Sequence, residues 1–248
     1  MRYFLEIAYR GTHYSGWQVQ PNGISVQQKI DEALCMILRD DIHCIGCGRT
    51  DAGVHAEQFF LHFDTNAHIP ANFPLRMNTF LPDDILVKRI IEVDEKAHAR
   101  FDATERSYEY RMLMHKEIFI PELVYYYHYQ PLDFEQMEKA CKVILQFDDF
   151  PSFCKSKQGA KTTIVHLTDL HWEHKGDAHV LHVSADRFLR GMVRLIMGAM
   201  LQIGKGKMTL AELEKGLQKK ERFKYALSAP ANGLFLTKVK YPYIRKSK

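Results

Sequence analysis

A chain of 248 residues, 46% of them hydrophobic and 26% charged, can bury one large core or two cores of about 100 to 150 residues each. No apolar run approaches the roughly 18 residues of a membrane span, and Met1–Glu6 lacks the basic-then-apolar order of a signal peptide, so a cytoplasmic protein without a membrane partner is expected. The net charge of +4 is small but uneven: residues 1–103 carry 10 Lys and Arg against 14 Asp and Glu, and residues 104–248 carry 24 against 16.

Arg2–Ala8 alternates and predicts a strand, and residues Gly11 to Gly23 predict a long, aromatic, glycine-punctuated loop. Ser25-x-x-Gln28 has the pattern of a capping box, and Val26, Ile30, Ala33 and Ile37 fall on one stripe of the helix it opens. Cys44–Cys47, Gln58–Asp64 and Ile85–Val93 are further strand candidates. The pattern restarts near Ala103, with a strand over Arg106–Met114 and a helix opening at Asp133-x-x-Gln136 with Phe134, Met137, Cys141 and Ile144 or Leu145 inward. A hairpin of Thr163–Glu173 and His179–Ala185 is expected about Lys175-Gly176-Asp177, followed by a helix from about Asp186 to Ile203. Thr209-x-x-Glu212 caps a short helix with Leu210, Leu213 and Leu217 inward, and Leu234–Tyr241 closes as a strand. The expected fold is α+β, a mostly antiparallel sheet covered by helices, in two αβ parts, residues 1–103 and 104–248.

Cys35, Cys44, Cys47, Cys141 and Cys154 are an odd, scattered set and are expected to be free thiols. The Cys44-x-x-Cys47 spacing lacks a second pair or a nearby His-x-x-x-His, so it predicts core packing rather than zinc. His171, His174, His179 and His182 gather on the expected hairpin without implying a metal, and no metal is predicted.

The stretch Gly48-Arg49-Thr50-Asp51-Ala52-Gly53-Val54-His55-Ala56 places a carboxylate beside a guanidinium in a glycine-bracketed loop. Such a loop either displays Asp51 for chemistry or uses it to close an Asx-turn on its own backbone. Arg187, Arg190 and Arg194 stand at i, i+3 and i+7, one face of the predicted helix, with Phe188, Met192, Leu195 and Ala199 opposite. That pattern fits a basic face turned to a cleft and equally a solvated one. Tyr108 and Tyr110 share one face of their strand. Phosphate contact is expected to draw on the basic C-terminal half, although the same lysines also serve solubility.

Gly48–Ala56 resembles the signature of the tRNA pseudouridine synthase A family. Further matches follow in the family's order: Tyr9-Arg10-Gly11-Thr12 with Tyr14-Ser15-Gly16-Trp17-Gln18, then Ser25-Val26-Gln27, Asn78–Ile85, His98-Ala99-Arg100-Phe101, Arg106–Tyr110, Phe188–Arg194, Ala229-Pro230-Ala231 and Gly233-Leu234. The resemblance implies two ferredoxin-like (RRM-like) halves in one central sheet and a homodimer. It also implies isomerisation of uridine to pseudouridine at positions 38, 39 and 40 of the tRNA anticodon arm, with no cofactor. Carried over residue by residue, it makes Asp51 the catalytic nucleophile, Arg194 its ion-pair partner and Tyr108, two residues after Arg106, the platform for the target base. Arg49 would hold the flipped nucleotide's phosphate or fill the space left behind, and Arg187 and Arg190 would bind RNA. Two departures stand out, Arg187 where the family usually has Gly and Ala97 where it usually has Phe. The competing classes are a non-enzymatic RNA-binding module, whose aromatic RNP run is absent, and a glycosidase, which would need a second carboxylate that the Asp51 loop does not offer.

Overall fold

The computed structural model describes residues 1–155, 162–223 and 228–244. They divide into two compact units, Met1–Glu105 with Phe235–Lys248, and Arg106–Leu234. The first break falls at Glu105, and the last strand goes with the first unit rather than with the residues that precede it in sequence.

The first unit runs β1 (Arg2–Tyr9), α1 (Val26–Leu38), β2 (Ile45–Gly46), β3 (His55–Asp64), α2 (Phe73–Phe80) and β4 (Ile85–Val93), and takes back β9 (Leu234–Lys240) from the far end of the chain. Its strands lie side by side as β4-β1-β3-β9, with β2 on β3. β1 is antiparallel to both neighbours, Leu5 standing opposite Ile90 and Leu61, whereas β9 joins β3 in parallel at His55 opposite Phe235. Helix α1 starts at Ser25, whose Oγ accepts from the Gln28 N–H at 3.2 Å. The Gln28 side chain turns forward to Glu32 instead of back to Ser25, so only half of the expected capping box forms. Val26, Ile30, Ala33, Leu34 and Leu38 are its buried stripe.

The expectation that β1 alternates is corrected, because Tyr3 to Ile7 are buried on both faces. On one face Tyr3 stacks on Phe63, which stacks in turn on Phe73 of α2. On the other, Phe4 and Phe60 are covered by Tyr241, with ring centroids 5.4 and 5.2 Å apart. Glu6 is buried on that second face and satisfied by Arg89 Nε at 2.6 Å and Gln58 Nε2 at 2.9 Å.

His62 is also buried there, between the Phe4 ring and His98, with Nδ1 accepting from the Ala99 N–H at 3.1 Å. Burial first, then the Arg2 and His98 charges, lowers its pKa to about 4, while Asp64 and Asp102 pull weakly the other way. The unfolded chain therefore takes up this proton first as pH falls, and the stabilisation is complete above about 6.5 and lost progressively down to about 4. We expect wild-type unfolding free energy to drop by about 2–3 kcal/mol from this site over that window. His62→Gln, followed by urea denaturation at several pH values, should flatten the profile. An unchanged slope in the variant would assign the acid lability to other groups.

The second unit runs β5 (Glu105–Leu113), β6 (Tyr125–Tyr126), α3 (Phe134–Ile144), a 3-10 turn at Pro151–Phe153, β7 (Leu167–Lys175), β8 (Ala178–Ala185), α4 (Met192–Gly204) and α5 (Leu210–Gln218). Its strands lie as β5-β8-β7, antiparallel, with the short β6 parallel to β5. The expected hairpin is present, and Gly176 takes φ +59 in its two-residue turn. Asp133 caps α3, and Thr209 and Glu212 make both halves of a capping box on α5. Helix α4 is buried almost all round and packs on α3, where Met137 leaves no room for a Cβ at Gly204. All five cysteines are free, and Cys44, Cys47, Cys141 and Cys154 are buried. No helix among the described residues is long and apolar enough to cross a membrane.

Candidate active site

Asp51 lies in the first unit, half-buried, in the loop between β2 and β3. The loop turns through Asp51–Val54: the Val54 N–H donates to the Asp51 backbone carbonyl at 3.2 Å, and Gly53 at φ +78 supplies the left-handed residue of a type II turn. Main-chain atoms thus close the turn. Of the two bracketing glycines only Gly53 uses a positive φ. The loop is docked on the segment Gly11–Trp17. The Trp17 N–H donates to Thr50 O at 3.2 Å, the Gly53 N–H to Tyr14 O at 3.4 Å, and the Tyr9 hydroxyl meets Thr50 Oγ1 at 2.9 Å. Gly16, at φ +96, lies so close that a Cβ there would stand 2.4 Å from Thr50 O, and a Cβ at Gly11 would stand 2.0 Å from Val54 O.

The docking segment is itself anchored. Trp17 packs on Phe59 of β3 with ring centroids 4.2 Å apart, and the Tyr14 hydroxyl donates to Asp84 Oδ1 at 2.5 Å. Burial, then Asp84, pushes the Tyr14 phenol far above its ordinary range, so it stays a donor. The Gly11 N–H donates to Nδ1 of the buried His55 at 3.0 Å, which identifies that nitrogen as the acceptor of the ring. Arg49, two residues before Asp51, is exposed. Sequence reading singled out Asp51 and Arg49 but not Tyr14, Gly16, His55 or Asp84 as their supports.

The other expected site residues lie in the second unit. Tyr108 on β5 is half-buried and meets the Phe188 ring edge-on at 5.0 Å. Tyr110, on the same strand face, is fully buried, with its hydroxyl donating to Pro230 O at 2.9 Å. Arg106, buried, donates from Nη1 to Asp186 O at 2.9 Å.

The arginine pattern needs correction. Helix α4 begins at Met192, after Gly191 at φ +71, so Arg187 and Arg190 belong to the preceding loop and share no helical face with Arg194. A left-handed residue cannot continue a right-handed helix, and the i, i+3, i+7 spacing was read across that break. Arg187 is half-buried, with its N–H on Asp186 Oδ1, and Arg190 is exposed, with its carbonyl accepting from the Lys155 N–H. Arg194 stands in the first turn of α4, where its Nε donates to Ala229 O at 2.7 Å.

The family profile described as tRNA pseudouridine synthase matches residues 147–242. Relatives named tRNA pseudouridine synthase A are similar over nearly the full length. That of Parabacteroides distasonis is 44% identical over 243 residues, 97% of this chain and 96% of the relative. That of Bacteroides fragilis is 43% identical over 245 residues, again 97% and 96%, and that of Bacillus pumilus is 35% identical over 246 residues, 97% and 99%. The chain belongs to the tRNA pseudouridine synthase A family.

The hairpin histidines pair with one another across β7 and β8. His171 stacks on His182 across β7 and β8 with centroids 4.8 Å apart, and His174 Nδ1 meets His179 Nδ1 at 2.7 Å beside the Phe134 ring. Carboxylates meet other ring nitrogens of the group: Asp169 faces His171 Nδ1 at 2.8 Å, Glu138 faces His174 Nε2 at 3.2 Å and Glu173 faces His182 Nε2 at 3.2 Å. Among the described residues no three His, Cys, Asp or Glu side chains converge as metal ligands.

Proposed function

We propose that this tRNA pseudouridine synthase isomerises uridines 38, 39 and 40 of the tRNA anticodon arm, with Asp51 as nucleophile. The observation that carries the reading is the Asp51 turn, closed by its own main chain and buttressed by Gly11–Trp17, in a chain of this family. A fixed carboxylate is what substitution at a sugar carbon requires. Its oxygen attacks C1′, the bond from C1′ to N1 breaks, and uracil departs with the electron pair. The ring turns, C5 bonds to C1′ as the carboxylate leaves, and the C5 proton is lost while N1 regains one. Atoms and charge balance with no redox partner or cofactor. Removal of a sugar proton is a second route through the same residue.

In this reading Arg194 is the ion-pair partner that offsets the desolvation of the Asp51 carboxylate. Arg49, Arg187 and Arg190 bind phosphate, and Tyr108 stacks on the target base once it leaves the helix. The two αβ parts are read as ferredoxin-like halves. What supports this for the first unit is its chain order β1-α1-β2-β3-α2-β4 with strands side by side as β4-β1-β3-β2. A cytoplasmic homodimer belongs to the same proposal.

The test is incubation with unmodified tRNA transcripts followed by position-resolved pseudouridine mapping; product elsewhere, or none, overturns the assignment. For the platform role, Tyr108→Phe should keep turnover within about threefold while Tyr108→Ala loses about 10- to 100-fold, the size of one lost base stack. Equal activities of the two variants in a single-turnover assay would remove Tyr108 from that role.

A further inference from the structure

We infer that Tyr110 is a positioning residue, which acts on the guanidinium of Arg194 through the peptide Ala229-Pro230. The inference rests on the proposed role of Arg194. Arg194 and Ala229 are joined twice: Arg194 Nε donates to Ala229 O at 2.7 Å, and the Ala229 N–H donates to Arg194 O at 3.0 Å. With Nε committed, the plane of the guanidinium follows the Ala229 carbonyl, and so does the direction in which its terminal nitrogens are presented to an anion.

The next residue, Pro230, has no N–H, so its carbonyl is the one main-chain group by which a neighbour can grip it. Tyr110 grips it at 2.9 Å from a ring that is fully buried in the core on β5. The rest of the segment is tied to the same strand. The Arg111 N–H donates to Gly233 O at 2.8 Å, and a Cβ at Gly233 would stand 2.6 Å from Arg111 O and 3.1 Å from the Tyr110 ring. Asn232 Nδ2 donates to Val124 O at 2.6 Å. The segment thus forms a strut from β5 to the first turn of α4, and the Tyr110 hydroxyl is its contact nearest to the arginine.

The experiment measures the single-turnover rate of pseudouridine formation at saturating enzyme, together with Kd for unmodified tRNA transcript, for Tyr110→Phe, Arg194→Lys, the double variant and Leu213→Ala. Leu213, buried in α5, is a control for lost stability alone. Tyr110→Phe should slow the chemical step about tenfold, the effect of one lost hydrogen bond, with Kd within about twofold. Leu213→Ala should melt earlier and keep its rate. Arg194→Lys should be slower by more than about 100-fold, and adding Tyr110→Phe to it should slow it no further. A wild-type rate in Tyr110→Phe, a Kd that rises in step with the rate loss, or losses that multiply in the double variant would each overturn the positioning role and leave Arg194 in place. A wild-type rate in Arg194→Lys would instead overturn the proposed site, and the positioning role with it.

Discussion

Asp51→Asn is expected to leave a folded protein that binds tRNA and forms no pseudouridine. The amide matches the carboxylate in shape, and the turn around it is held by main-chain groups of Thr50, Asp51 and Gly53 that the substitution retains. Unfolding free energy and tRNA affinity should therefore change by no more than about 1–2 kcal/mol each, the cost of replacing the proposed charged partner of Arg194 by a neutral one of the same shape. A neutral amide can neither attack C1′ nor accept the sugar proton, so turnover should fall by at least about 10⁴-fold, the range seen when a nucleophile is removed. Detection of product at a few per cent of the wild-type rate, from a preparation shown to be folded by circular dichroism, would exclude Asp51 both as nucleophile and as the base that takes the sugar proton.

Gly16→Ala should have a large effect for one added methyl outside the catalytic set. The residue sits at φ +96, and the new Cβ would fall 2.4 Å from Thr50 O, a backbone atom with little freedom to retreat. Backbone strain and displacement together should cost about 2–4 kcal/mol of stability. The displaced group is one residue from Asp51, and a shift of about 1 Å at a reacting centre is enough for a 100-fold loss of rate. Gly176→Ala is the control. Its φ of +59 is also left-handed, but nothing stands within 4 Å of the added Cβ. It should cost about 1 kcal/mol and leave turnover unchanged. If both variants retain full activity in the temperature range where they are folded, the docking of Gly11–Trp17 does not set the position of Asp51.

The parts of this molecule that announce themselves in sequence are those whose stabilisation is local. Ser25, Asp133 and Thr209 cap helices that begin where their side chains indicate, and Gly176 turns the hairpin it was expected to turn. Helix α2 was not foreseen, because over eight residues it buries only Phe73 and Met77, one turn apart, and carries a proline in its first turn. The start of α4 was misplaced because Gly191 breaks the chain without breaking the spacing of the arginines. The double-sided burial of β1 depends on Tyr241, more than 230 positions away in sequence, and no window on the strand itself contains that information.

The candidate site divides the same way. Asp51 stands out because Gly53 must supply a left-handed turn beside it, a requirement local enough to be written in neighbouring residues. Its supports do not. Tyr14, Gly16 and Asp84 reach it through hydrogen bonds and close approaches across 30 residues or more of chain, and sequence marked them only as parts of longer matching runs. Ala229 and Pro230 were likewise visible only as a match, and the bonds they make to Arg194 and Tyr110 give them a physical purpose.

The return of β9 to the strand that opens at His55 has a consequence for biosynthesis. A ribosome releases the stretch bearing Asp51 early, then some 130 residues that form a unit of their own, and only then the strand that completes the earlier one. A nascent or C-terminally clipped polypeptide would hold α4 and Arg194 yet lack the strand that pairs with the start of β3, just after the Asp51 loop. Loss of that strand should therefore destabilise the first unit before the second.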